Sequence, residues 1–89
     1  MQSKNKKSMT VAERRHVEAV KSQPCSQCEA SGPSEAHEIK QGQWFTSIAW
    51  CADCHRGPQG WHGDKTLSRI YKMDELDCLN VTLQRILEN

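Results

Sequence analysis

Large apolar side chains are scarce in this chain. Of its 89 residues 36% are hydrophobic, the aromatics are three Trp, one Tyr and one Phe, and the mean hydropathy is −0.79. A chain this short buries only roughly 60 to 65% of the surface its unfolded form exposes. That excludes a second domain and leaves a core so small that something besides burial must reinforce it. No apolar run approaches the roughly 18 residues of a membrane span, so a membrane partner is not expected. The N-terminus, Met1 to Lys7, is basic but has no hydrophobic stretch behind it, which argues against an export signal. The expected location is therefore the cytoplasm, a reducing compartment in which paired cysteines read as metal ligands before they read as disulfides. An excess of one charge is also missing, since the formal net charge is +1.

What the chain does have is uneven charge and five cysteines. Met1 to Pro24 carries six basic residues (Lys4, Lys6, Lys7, Arg14, Arg15, Lys21) against Glu13 and Glu18, while the remainder is acidic on balance. A basic arm on an acidic small domain can attract phosphates, although such arms are commonly just solvated. Residues 1–9 lack periodicity and are expected to form a mobile basic tail, with residues 10–89 forming one domain. Thr10 and Glu13 have the spacing of a capping box, opening a helix with Val11, Val17 and Val20 on a thin apolar side, which Pro24 stops. Glu35 to Lys40 and Trp44 to Trp50 read as two strands of a hairpin around Gln41-Gly42-Gln43. Asp64 is a candidate N-cap for a short helix carrying Leu67, Ile70 and Tyr71. Asp74 is cap-like before a longer helix with Leu76, Leu79, Leu83, Ile86 and Leu87 near one face.

Cys25 and Cys28 form one CxxC, and after 22 intervening residues Cys51 and Cys54 form a second. Two residues between thiols let one tight knuckle aim both sulfurs at one ion, and two knuckles complete the tetrahedral thiolate shell that Zn²⁺ favours. For small zinc domains the apparent binding free energy is about 10 to 16 kcal/mol, enough to decide folding. The expected centre is a structural zinc on Cys25, Cys28, Cys51 and Cys54. Rival readings are two disulfides, a three-cysteine site using His55 in place of Cys54, and c-type haem attachment at Cys51-Ala-Asp-Cys54-His55. Cys78 is the odd cysteine, read as a small, partly buried hydrophobe away from either pair. His16, beside Arg14 and Arg15, reads as a surface residue.

Four coordinating cysteines leave His37, His55 and His62 unspent. A hairpin whose second strand runs into Cys51 lets a histidine of the first strand face the segment after Cys54, so the three imidazoles could converge on a second, open site. Cys25-x2-Cys28, Ala36-His37-Glu38-Ile39, Ile48-Ala-Trp-Cys51-x2-Cys54-His55-Arg-Gly and Gly60-Trp-His62-Gly63 together resemble the HNH (His-Me finger, ββα-metal) endonucleases. The likeness runs from about Cys25 to Leu87 and is greatest to small phage-type members, including RecA-dependent Ref-type recombination nucleases. It implies an α+β fold with a treble-clef-like ββα-metal core and flanking helices, clasping a Mg²⁺ or other divalent ion. His37 would act as general base on a water, and His55 and His62 would hold the ion against the scissile phosphodiester. The family commonly has Asp-His or His-His where this chain has Ala36-His37, which leaves two registers open. In the preferred one His37 is the base; in the other it is a ligand and Glu38 becomes the base. A further departure is the Gly- and Pro-containing loop that separates His55 from His62, where one helical turn would be expected.

The expected function is metal-dependent DNA cleavage in a bacterial cell, with phage origin open. The partners foreseen are DNA, a recombination or replication protein, and a second copy of the chain. Arg56, Trp61, Lys4, Lys6, Lys7, Arg14 and Arg15 are the candidate nucleic-acid contacts, though Trp44, Trp50 and Trp61 each read first as core. The alternative is a non-catalytic treble-clef zinc module that holds nucleic acid or a protein.

Overall fold

The computed structural model describes residues 8–88. Helix α1 (Val11–Lys21) opens on the expected capping box, with Thr10 Oγ1 accepting from the Glu13 N–H and the Glu13 carboxylate accepting from the Thr10 N–H. Val17 and Val20 are buried, whereas Val11 lies exposed on the first turn. The hairpin follows as β1 (Glu35–Glu38) and β2 (Ser47–Trp50), paired antiparallel with Glu35 opposite Trp50 and His37 opposite Ile48. Helix α2 (Ala52–Arg56) follows β2 directly, then a loop, α3 (Thr66–Tyr71) and α4 (Glu75–Glu88). The result is a small α+β domain around a two-stranded sheet. No described helix is long and apolar enough to cross a membrane.

Both strands are shorter than their sequence pattern suggests. Trp44–Thr46 is a 3₁₀ turn and not strand, because Thr46 Oγ1 and the Thr46 N–H both donate to the Gln43 carbonyl and Ser47 Oγ donates to the Trp44 carbonyl. These local hydroxyl bonds compete with ladder pairing and win at the tip of the hairpin. The four residues of β2 are all buried. Its Ala49 carbonyl accepts from both the N–H and the hydroxyl of Ser26, and its Ala49 N–H donates to Thr82 of α4.

The core gathers Cys25, Ile48, Trp50, Cys54 and Cys78, with Trp61, Leu67, Met73 and Leu79 packed against it. The buried centre of α4 is Cys78 and Thr82, while Leu76 and Leu87 are exposed. The apolar face read from leucines alone was thus offset, since a cysteine and a threonine fill the tightest contacts. Cys78 is fully buried and lies in one cluster with Cys25 and Cys54, closer to the pairs than its place in the sequence suggested. Burial pushes its thiol up, only partly offset by the Trp50 indole and the Ser26 hydroxyl. On α3, Leu67 packs on the core but Ile70 and Tyr71 are exposed. Asp64 does serve this helix, accepting from the N–H and hydroxyl of Thr66, although Lys65, in the left-handed region, occupies the cap position between them. Asp74 and Asp77 cap α4 reciprocally, each carboxylate accepting the other's backbone N–H. His16 is half-buried against Phe45, and burial lowers its basicity, so it is not the free surface residue expected.

Candidate functional site

Two clusters of metal-binding side chains stand out among the described residues, Cys25, Cys28, Cys51 and Cys54 in one and His37, His55 and His62 in the other. Within each, the ligand atoms lie within 4.8 Å of one another. None of the cysteines is in a disulfide.

The cysteine cluster is built from backbone. In each knuckle the sulfur of the first cysteine accepts from the N–H of the second, Cys25 from Cys28 at 3.5 Å and Cys51 from Cys54 at 3.4 Å. The Ser26 bonds to Ala49 dock the first knuckle beside the strand that leads into the second. Cys28 and Cys51 Sγ are 3.6 Å apart, close to the roughly 3.8 Å edge of a tetrahedron with Zn–S bonds of about 2.3 Å. Burial pushes the Cys28 and Cys54 thiols up, a cost that a bound Zn²⁺ offsets because a coordinating thiol is deprotonated outright. The donor set therefore fits a structural zinc. The ring of His55 is held among the other histidines, which leaves Cys54 with the sulfurs and removes the mixed-ligand alternative.

The histidine cluster is assembled from three elements. His37 lies on β1, and the two-residue period of a strand puts Glu35 on the same face while Ala36 and Glu38 point the other way. His55 sits near the end of α2. His62 arrives by an unusual route: the Trp61 N–H donates to the Cys54 carbonyl and the His62 N–H to the His55 carbonyl, so the chain leaves α2 in a tight loop and returns onto its end. Gly60 makes this return possible, since a Cβ there would land on the carbonyl oxygens of Asp53 and Cys54. The loop that separates the two histidines in sequence thus brings them together, with ring centroids 4.9 Å apart. His37 lies 5.1 Å from each of them and rests on Trp50 at 4.8 Å.

His37 Nδ1 faces His55 Nε2 at 3.2 Å. Their other nitrogens are occupied by carboxylates, His37 Nε2 by Glu75 Oε2 at 2.7 Å and His55 Nδ1 by Glu35 Oε1 at 2.8 Å. A carboxylate can only accept, so it favours the ring tautomer that carries its proton on that side. Two bare ring nitrogens then oppose each other, and lone pairs at that distance need a proton or a cation between them. Burial first, and then the neighbouring His55 and His37, lower the basicity of His62, which favours the neutral ring a metal requires. The residues fit a divalent cation.

The other candidate residues divide sharply. Arg56 is engaged by Glu35 through three hydrogen bonds, of which the shortest is 2.6 Å. Its guanidinium and His55 hold the Glu35 carboxyl at about 2, below the usual carboxylate range. Glu38 is remote from the cluster in its bonding, because its carboxylate accepts from the Gly42 N–H in the hairpin turn. Trp61 is half-buried against Trp50 with the Lys65 ammonium 4.9 Å above its ring. Arg14 and Arg15 are exposed on α1, while Lys4, Lys6 and Lys7 lie outside the described residues. Sequence reasoning missed Glu35, Glu75 and Lys65. Glu35 could have been found from its i, i+2 spacing to His37; Glu75 is 38 residues away from it and carried no such signal.

No protein-family model, curated protein or solved structure matches this chain.

Proposed function

We propose that this protein is a metal-dependent endonuclease of the HNH type that hydrolyses DNA phosphodiester bonds, its ββα-metal core formed by β1, β2 and α2. The observation that carries the reading is the convergence of His37, His55 and His62, with Nδ1 of His37 3.2 Å from Nε2 of His55. A module that only binds has no need of three converging imidazoles beside a separate four-cysteine centre.

In this reading the cysteine centre holds zinc for folding, and His55 and His62 hold the second ion. That ion supplies charge neutralisation at the phosphate and its leaving oxygen. His37 is the proton acceptor: with Nε2–H donated to Glu75, its Nδ1 lone pair is left to take a proton from the attacking water. The water oxygen bonds to phosphorus, the bond to the 3′ oxygen breaks, the released 3′ oxygen takes up a proton from solvent water, and the proton on His37 returns to solvent. A neutral imidazole suits this role near pH 7. The Trp50 ring under His37 blocks solvent from one face, and Lys65, over Trp61 and close enough for its charge to act on His62, supplies a cation for a neighbouring phosphate. Glu38 takes no part, since its carboxylate is spent in the turn.

The test is plasmid cleavage with Mg²⁺, Mn²⁺ or Ni²⁺ and with EDTA, run on the wild type and on His37→Ala with zinc counted in both. Ion-dependent nicking or linearisation, lost in the variant while one zinc per chain remains, is the expected result. One zinc per chain with no cleavage under any ion overturns the nuclease reading in favour of a binding module.

A further inference from the structure

Two carboxylates outside the cluster contact it, and the proposed chemistry uses only Glu75, as the acceptor of the His37 Nε2–H. Glu35, on β1, reaches His55 Nδ1 at 2.8 Å. Glu75, the first residue of α4, reaches His37 Nε2 at 2.7 Å. Glu35 is itself clamped by Arg56, whose Nε and Nη2 both donate to it. The two pairs are independent: one couples the strand to α2, the other couples the strand to a helix that begins far along the chain.

Their common consequence lies in the protons. A neutral imidazole carries one N–H, and its energy differs little between the two nitrogens until a fixed acceptor selects one. Glu75 selects Nε2–H for His37, and Glu35 selects Nδ1–H for His55. The bare nitrogens left over, Nδ1 of one ring and Nε2 of the other, are the two that face each other at 3.2 Å. With neither carboxylate present each ring could turn an N–H inward, and the pair would satisfy itself by a simple hydrogen bond, leaving one fewer lone pair for an ion or a proton in flight. A carboxylate on the far nitrogen of a metal-binding histidine has this effect generally, fixing tautomer and ring orientation.

We infer that Glu35 and Glu75 are positioning residues that lock His55 as its Nδ1–H tautomer and His37 as its Nε2–H tautomer, so that both rings present lone pairs to the centre, with Arg56 holding Glu35 in place. The inference deepens the role proposed for the histidine centre, but it concerns ring protons that exist with or without substrate.

The decisive experiment is ¹⁵N–¹H correlation NMR of the histidine rings in the full, zinc-loaded chain at about pH 8, above the ordinary histidine range. In the wild type His37 should show a protonated Nε2 and His55 a protonated Nδ1. Glu75→Ala should shift His37 toward mixed or inverted tautomers and leave His55 unchanged, and Glu35→Ala should do the converse. A titration with Co²⁺ under the same conditions, zinc being retained on the cysteines, should show Glu35→Ala weakening the second ion by about 10- to 100-fold. Glu35→Gln, whose amide oxygen can still accept, should recover part of that loss. Unchanged melting and zinc content in all variants separate positioning from a general structural role. Wild-type tautomers opposite to these, or tautomers unmoved by both alanine substitutions, overturn the inference. The expected tautomers in a wild type that cuts no DNA leave it standing while the nuclease reading falls.

Discussion

The two clusters of side chains teach opposite lessons about how a small protein gathers groups that could hold a metal. Around the cysteines the geometry is local: each pair sits in a knuckle whose own N–H···S bond aims the sulfurs, and the ligands are buried or half-buried in the core. Around the histidines nothing is local. A strand, a helix end and a returning loop contribute one ring each, and two of the rings bond to carboxylates, one from that same strand and one from α4. The cysteine centre lies among the residues that hold the domain together, whereas His62, on the rim of the other, is exposed. One is packed within the fold and the other opens to solvent at His62.

Three interventions, beyond the cleavage and tautomer tests above, break this contrast in order of effect. Stripping zinc with a strong chelator, or replacing Cys54 by Ala, should unfold the domain, because about 10 to 16 kcal/mol of apparent metal-binding free energy is removed from a core too small to compensate. Far-UV circular dichroism should collapse, and a chain that kept its native spectrum and melting transition would show that zinc is not structural. The same measurement on His62→Ala should show little change, and unfolding there would erase the division of labour between the two centres.

A smaller effect should follow from Gly60→Ala. The added methyl meets the carbonyl oxygens of Asp53 and Cys54, so the loop must lift away from α2 and take Trp61 and His62 with it. The expected loss is about 1 to 3 kcal/mol of stability, in line with overpacking elsewhere. Co²⁺ affinity at the histidine centre should fall tenfold or more while the cysteine centre keeps its zinc. Calorimetric titration of the two sites reads both numbers, and equal weakening at the two centres would show that the loop does not act on His62 in particular.

The smallest effect belongs to Arg85. From α4 it donates to both oxygens of Glu29 at 2.6 Å, in the residue following the first knuckle. Glu29 is largely exposed, so water and salt screen the pair, and Arg85→Ala should cost at most about 1 kcal/mol. A shift of the urea midpoint larger than that, or any loss of zinc, would mean that the knuckle depends on a side-chain clamp after all and resembles the histidine centre more than its backbone bonding suggests.

These differences also explain what could be read ahead of the structure. The capping box of α1, the Asp74 cap of α4 and the two CxxC knuckles depend on residues a few positions apart, and physical rules at that range are strong. The strand ends were misjudged at Trp44–Thr46, where hydroxyl groups captured carbonyls that a ladder would have used. The buried face of α4 was misjudged for a related reason. Leucine spacing suggested one stripe, but the fully buried positions are Cys78, clustered with Trp50 and Cys25, and Thr82, whose hydroxyl accepts from the Ala49 N–H.

By itself the sequence determined a small α+β fold, two cysteine pairs with the spacing of one zinc, and three histidines left without a ligand role there. It did so because composition and short-range spacing constrain the chain before any long-range contact forms. The tertiary structure alone decided that Gly60 lets the loop fold back so that His62 meets His55, that Glu38 turns away into the hairpin, and that Arg56 holds Glu35 where a phosphate contact had been expected. It also brought Glu75 to His37 from the far helix. Ring orientation and the placement of a single proton depend on side chains meeting across 20 to 38 residues of chain, and no local spacing encodes such a meeting.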